Sequence, residues 1–541
     1  MHSVMSHSFS QVPSANIQRS SFNRTHAHKT TFNAGYLVPF YLDEVLPGDT
    51  FNLNATLFAR MATPRFPIMD NLFMDTFYFF VPNRLVWDNW QKFMGERENP
   101  DDSIDYLIPK LVFTGDHSVT SDDLKLLDYF GIGGVDNKLF SGQGINALPI
   151  RAYNLIWNEW FRDQNLQERR VVNKGNGPDI EGTPTDLARR GKRHDYFTSA
   201  LPWPQKGPGV EIPIAGGTVP VTTSPQRLVF GPQPGQLQFA DTLSGALSSI
   251  DNALGLSTMG YVAPASPAPT QVGSGRYYPT NLKVDLDTNA ISATINSLRQ
   301  AFQLQKMYER DARGGTRYVE ILRSHFGVIS PDARLQRPEY LGGHSQPILI
   351  NPVQQTSSTN EISPQGNLSA FAVTSQHSGF SKSFTEHGYV IGLVSVRADL
   401  TYSQGINKLW LRNTRYDFYW PSFAHLGEQV VYDVEIYNDG VASMNRAFGY
   451  QERYAEYRYK PSLVTGAFRS GYPGGSLNVW HLSQVFGNRP VLGNEFIQED
   501  PPIGRVVAVP SQPHFIMDSY IRLRCARPMP VYSVPGLIDH F

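Results

Sequence analysis

The chain has 541 residues, of which 40% are hydrophobic and 18% charged, so it can bury a large core and is not a disordered polypeptide. Its 45 glycines, 39 prolines and 12% aromatic content favour short strands and long ordered loops over helical bundles. The formal net charge of −1 argues against a protein covered by nucleic acid on all sides, but it allows one basic face.

The sequence contains no signature of catalysis, metal binding or membrane insertion. It lacks HExxH, GxSxG, P-loop and CxxC motifs, and its single cysteine, Cys525, excludes a disulfide framework and a Cys-based zinc site. No apolar run approaches the roughly 20 residues that span a bilayer, and the first residues are too polar for a signal peptide. We therefore expect no catalytic residue, no cofactor, no metal and no secretion.

Residues 1–42 form a locally basic segment. It carries Arg19, Arg24 and Lys29 and has no acidic residue before Asp43. Two interpretations fit this pattern: an extended arm that contacts nucleic acid or a neighbouring subunit, and a frayed terminus.

Extended segments dominate the next part of the chain. Polar and apolar residues alternate over 35–61, with a turn at 47–49, so two strands are predicted there. Residues 72–81, LFMDTFYFFV, are apolar on both faces and are closed by Pro82, which predicts a buried β-strand. Such a strand needs cover on both sides, as a two-sheet sandwich with loops folded over it provides. A short helix is predicted at 87–94.

A helix and a basic cluster follow. Aromatic residues recur at helical spacing over 151–167, which predicts an amphipathic helix with a core-facing stripe. Beyond it come four basic residues beside Tyr196 and Phe197, an arrangement used by proteins that stack single-stranded nucleic acid. Seven acidic residues between positions 159 and 195 weaken this signal. The four candidate nucleic-acid contacts of this basic cluster are Arg189, Arg190, Lys192 and Arg193.

The composition changes over residues 201–280. This segment has six charged residues against twelve prolines and eleven glycines, yet it keeps apolar patches typical of strands. We expect an ordered insertion on the outer surface rather than a linker. Helices are predicted at 291–313 and 316–326. The last 160 residues return to alternating patterns, which predict strands at 388–402, 430–437, 453–460 and 514–532.

Four long stretches carry a resemblance that composition does not. They are TPRFPIMDNLFMDTFYFFVPNRLVWDNWQKFMGE, RAYNLIWNEWFRDQNLQ, KRHDYFTSALPWPQKG and ARGGTRYVEILRSHFGVISPDARLQRPEYLGG. Together they closely resemble the major capsid protein of gokushovirus-type microviruses, which are small single-stranded DNA phages. The resemblance implies a mainly β fold, an eight-stranded antiparallel jelly roll of the viral capsid type with large loop insertions containing a few short helices. It further implies a virion protein, assembled in the bacterial cytoplasm as a T=1 icosahedral shell around circular single-stranded DNA.

The resemblance also implies a domain organisation and a set of partners. Residues 43–200 and 286–541 would form the jelly-roll core, with helices near 291–326, and 201–285 would form a threefold protrusion that contacts the host receptor. The arm at 1–42 and the basic cluster become candidate contacts to the enclosed DNA. The other expected partners are further copies of the chain, in pentamers and at threefold contacts, and other virion or scaffolding proteins.

One alternative comes from a different class of protein. Sandwiches lined with aromatic residues often bind sugars, so a β-sandwich carbohydrate-binding or carbohydrate-cleaving protein also fits the composition. Cleavage would require a pair of carboxylates flanking the bond, and we identify no such pair in the sequence.

Overall fold

The computed structural model is mainly β, with antiparallel sheets. The residues that it describes are 17–113, 122–133, 144–180, 183–210, 295–329, 331–332, 336–359, 361, 364–440 and 446–532, with short strands between 222 and 283. Residues 1–16 of the basic arm and most of the 201–285 segment therefore lie outside the described residues.

Six strands form the first sheet. In chain order they are β1 Ser20–Asn23, β2 His26–Phe32, β4 Thr50–Met61, β7 Leu349–Gln354, β8 Leu368–Ser383 and β10 Phe515–Arg527. The spatial order is β1-β10-β4-β8-β7, and β2 also pairs with β10. The predicted strand over 50–61 is confirmed, because every second residue of β4 from Phe51 to Met61 is buried. The later half of the basic arm is thus an edge of this sheet.

Four strands form the second sheet. They are β3 Val38–Val45, β5 Leu72–Pro82, β6 Glu339–Pro347 and β9 Gly388–Ala398, in the spatial order β6-β5-β9-β3. The predicted strand over 72–81 is confirmed as β5, which pairs antiparallel with β6 on one side and β9 on the other. The predicted strands at 388–402 and 514–532 are confirmed as β9 and β10.

The aromatic residues of β5 are covered on both faces, as predicted. On one face Tyr78 lies 5.4 Å, ring to ring, from Phe380 of the first sheet, and its hydroxyl is 2.9 Å from Ser378 Oγ. On the other face the ring of Phe79 lies 5.4 Å from that of Trp160. Successive strand residues point to opposite faces of a sheet. Strand β5 therefore packs against the first sheet on one face and against the helical turn that carries Trp160 on the other.

Seven α-helices are described, most of them short. They are α1 Trp90–Phe93, α2 Lys125–Tyr129, α3 Leu148–Ile156, α4 Ile295–Gly314, α5 Tyr318–Phe326, α6 Asn494–Ile497 and α7 Ile503–Val506. The helix predicted over 151–167 begins earlier, with Pro149 in its first turn, where a missing N–H costs nothing. It continues through a π-helical turn, Trp157–Phe161, and ends at Arg162 because that residue is extended.

Several short strands and 3₁₀ turns fill the loops. The strand pairs are Lys110–Leu111 with Ile145–Asn146, Thr401–Tyr402 with Ser462–Leu463, and Glu428–Tyr432 with Ala447–Glu452. The strand predicted at 453–460 is wrong. That segment contains the 3₁₀ turn Ala455–Tyr457, and Tyr454 has a left-handed φ of 61°, which interrupts an extended chain.

The chain divides into two compact units. The first comprises Met1–Lys206 and Glu309–Phe541 and contains both large sheets. The second, Gly207–Tyr308, includes the first part of α4 and small sheets of two or three strands. These small strands are Thr222–Thr223, Gln238–Asp241, Leu247–Ser249, Gly255–Leu256, Val262–Ala263, Tyr277–Pro279 and Leu282–Lys283.

Candidate functional site

Two arginines of the N-terminal segment contact the turn and strand that follow it. Arg19 donates to the carbonyl oxygen of Gly48 at 2.7 Å and to Thr50 Oγ1 at 3.0 Å. Arg24 Nη1 lies 2.5 Å from the carboxylate of Asp43. Both guanidinium groups therefore hold strand β1 against its neighbours and already have partners within the chain.

Lys29 of β2 is the most open of the predicted DNA contacts. Its side chain is 76% exposed, and its ammonium group lies 3.5 Å from the half-exposed carboxylate of Asp518. An ion pair so open to solvent is weak and is easily exchanged for another anion. This lysine can therefore reach a phosphate at little cost.

Arg190 of the basic cluster is buried in an ionic triad. It pairs with Asp75 of β5, whose carboxylate also accepts from Arg397 Nη2 at 3.2 Å. Burial and the nearby charge of Arg397 lower the pKa of Arg190 to about 10, against the attraction of Asp75. Burial acts to raise the pKa of Asp75, but the two guanidinium groups outweigh it and hold that pKa below its ordinary value. The triad joins residue 190 to strands β5 and β9.

Lys192 lies close to a buried glutamate. Its ammonium group is 4.5 Å from the ring centre of Phe496, and burial lowers its pKa against the attraction of Glu499. Glu499 is 1% exposed; its Oε1 accepts from the amide of Ala398 at 3.1 Å, while its buried Oε2 has no hydrogen-bond partner. Burial raises the pKa of Glu499 to about 7, despite the nearby cations.

The remaining two arginines of the cluster are paired at its edges. Arg189 Nη1 lies 2.9 Å from the carboxylate of Asp500, and Arg193 Nη1 lies 3.0 Å from that of Asp399. Both carboxylates are partly exposed. Three of the four cluster cations are thus held by intrachain ion pairs, and Lys192 lies near Glu499.

Each basic side chain of the cluster also lies over an aromatic ring, an arrangement that stabilises a cation most strongly when water is excluded. These rings are not the neighbouring Tyr196 and Phe197, which are buried in a hydrophobic cluster with Phe496. The observed pairs are Arg189 over Tyr36, Arg190 over Phe77, Lys192 over Phe496 and Arg193 over Phe73. The cations do lie over aromatic rings, but these rings come from distant segments and not from the adjacent residues of the sequence pattern.

Arg190 and Lys192 lie in the wall of a cleft of about 740 Å³ in the first unit. Six lysine and arginine side chains line it against two carboxylates, Asp163 and Glu320, within the described residues. Phe77, Trp160, Phe161 and Tyr340 supply aromatic wall. Its volume falls in the range of small-ligand pockets, roughly 300–1,000 Å³, and its lining suits an anion attached to a flat ring.

The sequence reasoning missed four arginines of this cleft, Arg162, Arg313, Arg317 and Arg397. Arg162 donates to the carbonyl oxygen of Gln167 at 2.9 Å, and burial, with the charges of Arg317 and Arg169, lowers its pKa. Its buried Nε, like that of Arg317, has no hydrogen-bond partner. The available signal was the position of Arg162 directly after the aromatic pair Trp160–Phe161.

Neither metal binding nor membrane crossing is indicated in the part of the chain that the structure describes. No group of three His, Cys, Asp or Glu side chains there is placed to hold a metal ion. No helix in those residues combines the length and the apolar character that a bilayer span requires.

Comparison with known proteins identifies the family. The model of the capsid protein (F protein) family matches residues 10–537. The chain belongs to this capsid protein family. Capsid protein VP1 of Bdellovibrio phage phiMH2K is 48% identical over 541 aligned residues, covering 99% of this chain and 98% of that protein. Capsid protein VP1 of Chlamydia phage 1 is 46% identical, covering 99% of this chain and 98% of its own length.

A third relative is more distant but equally complete. Capsid protein VP1 of Spiroplasma virus 4 is 38% identical, covering 98% of this chain and 97% of its own length. The suspected resemblance to microvirus capsid proteins is confirmed, and the capsid protein is a structural component of the virion that assembles with itself into a shell rather than an enzyme. This finding replaces the alternative of a carbohydrate-binding or carbohydrate-cleaving protein.

In this capsid protein the basic cluster has a clear structural role. Its ion pairs and ring contacts connect residues 189–193 to β5, to β9 and to the 496–500 segment of the last long loop. Removing one partner of a buried pair leaves an uncompensated charge and destabilises strongly. The cluster therefore fixes two long loops on the second sheet and, at the same time, forms part of the cleft.

Proposed function

We propose that this chain is the major capsid protein that builds a T=1 icosahedral shell around circular single-stranded DNA. Its family membership over 10–537 is the observation that carries the proposal. The expressed chain is expected to form uniform shells or pentamer-sized assemblies in sedimentation and electron microscopy. A stable monomer over varied salt and pH would overturn the proposal.

The strand order supports a jelly roll as the core of the shell. Eight long strands, β2 to β6 and β8 to β10, divide equally between the two sheets. Numbered one to eight along the chain, they lie in the orders 1-8-3-6 and 2-7-4-5. Strand one therefore pairs with strand eight, two with seven, three with six and four with five. This is the pairing of one long hairpin that is folded over into two sheets. Jelly rolls are built in this way from two Greek keys.

Two long insertions supply surface for subunit contacts. One joins β5 to β6 over residues 83–338 and the other joins β9 to β10 over 399–514. A shell needs large, repeated interfaces, of which each typically buries roughly 800 Å² per partner. Loops of this length can cover the sandwich and still reach a neighbour.

The cleft supports contact with the enclosed DNA. Arg162 and Lys192 lie beside aromatic rings in the cleft wall, which is how single-stranded nucleic acid is held without regard to sequence. Arg190 and Arg317 are paired with Asp75 and Glu320 and would add positive charge rather than pair directly with a phosphate. Lys29 adds an exposed cation on the first sheet. Arg19, Arg24, Arg189 and Arg193 already have partners within the chain, so they would attract the phosphates of the DNA at a distance rather than pair with them directly.

A binding measurement tests the DNA proposal. Fluorescence anisotropy with a labelled oligothymidylate is expected to give a salt-dependent affinity, about tenfold weaker for Arg162→Gln and with a salt slope lower by about 1. Arg97→Gln, at an exposed loop residue that does not line the cleft, is the matched control and should bind as the unaltered chain does. Equal affinities for both variants would rule out the cleft as the contact.

We further propose that 201–285 forms a threefold protrusion that attaches to the host cell. Its low charge and its proline and glycine content suit a rigid surface projection with little self-repulsion. The separate compact unit Gly207–Tyr308 supports treating it as an insertion into the core at 43–200 and 286–541. Deleting 209–277 should preserve particle assembly and reduce attachment to host cells. Unchanged attachment by the shortened particles would refute the receptor role.

A further inference from the structure

One loop of the capsid protein exposes an aromatic surface, made of Trp410, Tyr416, Phe418, Tyr419, Trp420 and Tyr457. These rings belong to the long segment between β9 and β10 and are between 48% and 76% exposed. They are distinct from the cleft and from the second unit. Neither the family match nor the candidate DNA contacts assign them a role.

Contacts link three of these rings, those of Phe418, Tyr419 and Tyr457. Tyr419 lies 6.3 Å, ring to ring, from Tyr457, and its amide donates to the hydroxyl of Tyr457. The guanidinium of Arg412 lies 5.2 Å from the ring centre of Phe418 and 4.5 Å from that of Tyr457. Arg412 is only 14% exposed and is paired with Glu456. The guanidinium of the exposed Arg415 lies 4.7 Å from the ring centre of Tyr416, so this surface combines aromatic rings with arginines.

Backbone hydrogen bonds hold this irregular loop in place. Asn407 Oδ1 accepts from the amide of Leu409 at 3.0 Å and caps the turn that carries Trp410. Asp417 Oδ2 accepts from the amide of Thr414 at 2.7 Å in the next turn. The indole of Trp420 donates to the carbonyl oxygen of Arg415 at 2.8 Å. The rings are therefore fixed while exposed, which lowers the entropy cost of covering them.

The exposed area of these rings lies at the upper end of what a free monomer shows. An aromatic side chain has roughly 150–250 Å² of surface, so six that are about half exposed present on the order of 600 Å². Exposed leucines at 409, 426 and 463 extend it. The largest apolar patch on a typical monomer is about 300–600 Å², and one side of a specific interface covers roughly 800 Å².

We propose that the aromatic surface is a contact between neighbouring copies of this chain. The inference rests on the proposed shell-forming function and names one surface that carries it. A second copy is the fitting occupant because a capsid protein assembles with itself, and because tyrosine, tryptophan and arginine, which make up this surface, are enriched at interfaces between proteins.

Assembly of two paired variants tests the proposal. Trp410→Ser with Phe418→Ser removes two exposed rings, and Trp410→Phe with Phe418→Tyr keeps aromatic surface at both sites. The serine variant is expected to form at least tenfold fewer shells in sedimentation and microscopy, although its unfolding midpoint is unchanged. The aromatic variant is expected to assemble normally. Normal shells from the serine variant would overturn the proposal.

A labelling experiment decides the matter even if the double variant folds poorly. The native Cys525 is buried, so a Trp410→Cys substitution at a side chain 76% exposed adds one reactive thiol to the described residues. Maleimide should label this thiol in dissociated subunits and should react with it at least tenfold more slowly in assembled shells. Equal labelling in both states would refute the contact. Absence of shells from the unaltered chain would instead refute the shell-forming function, so the two failures are distinguishable.

Discussion

Arg151 and Asp179 form a two-point ion pair from which water is completely excluded. Arg151 Nε lies 2.8 Å from Asp179 Oδ2 and Nη2 lies 2.6 Å from Oδ1, and neither side chain is exposed. Arg151 Nη1 also donates to the carbonyl oxygens of Val86 and Gly175 at 3.0 Å. The pair therefore ties helix α3 to the turn after β5 and to the 173–179 loop.

Breaking this pair should destabilise the capsid protein severely. Asp179→Ala leaves the Arg151 guanidinium buried without a counter-charge, which costs about 3–5 kcal/mol. Urea unfolding followed by tryptophan fluorescence measures the loss. The control is Asp518→Ala, which breaks the exposed pair with Lys29 and should cost about 0–1 kcal/mol. Similar midpoints for the two variants would contradict the structural role of the pair.

The buried strand could be predicted from sequence, but its partners could not. Residues 72–81 form one apolar run closed by Pro82, so a local pattern contains the evidence for β5. Its neighbours β6 and β9 begin at Glu339 and Gly388, more than 250 residues later, and no local pattern sets that pairing. Conversely, the alternation over 453–460 predicted a strand wrongly, because a turn at Tyr454 can bury a side chain equally well.

The candidate site was predictable in kind but not in geometry. The sequence placed Arg190 beside Tyr196, whereas the fold places it over Phe77 of β5. Arg162 and Arg317 are 155 residues apart in the chain, yet Arg317 donates to the carbonyl oxygen of Arg162. Only the tertiary packing of α3 and α5 brings these arginines to one cleft.

The bond between Tyr78 and Ser378 connects the two sheets and should contribute to their packing. Tyr78→Phe leaves the Ser378 hydroxyl buried without its partner, which costs about 1–3 kcal/mol. A double-mutant cycle with Ser378→Ala is expected to show a coupling energy of about 0.5–1.5 kcal/mol. Additive effects of the two substitutions in urea unfolding would exclude a significant bond.

Glu499 should make stability depend on pH. Burial raises its pKa in the folded state to about 7, so the folded chain holds this proton more tightly than the unfolded chain does. Its stabilising effect is full below about pH 4.3, the usual unfolded pKa, and is lost as the pH rises to about 7. The cations that face it are Arg190, Lys192 and Arg397.

Glu499→Gln should remove this pH dependence. The amide keeps an oxygen to accept from Ala398 but cannot ionise, so the difference in unfolding midpoint between variant and unaltered chain should grow from pH 5 to pH 7.5 in favour of the variant. Thermal unfolding across that range measures it. A constant difference at every pH would show that Glu499 titrates normally.

Gly379 of β8 marks a close approach between two central strands of the first sheet. A Cβ at this position would lie 2.1 Å from the carbonyl oxygen of Leu53 in β4, which is backbone and cannot rotate away. Gly379→Ala should therefore force the strands apart and cost about 1–3 kcal/mol. Gly487→Ala is the matched control, since nothing lies within 4 Å of its Cβ position, and it should change stability by less than about 0.5 kcal/mol. Urea unfolding compares them, and equal midpoints would mean that β4 and β8 tolerate a wider separation.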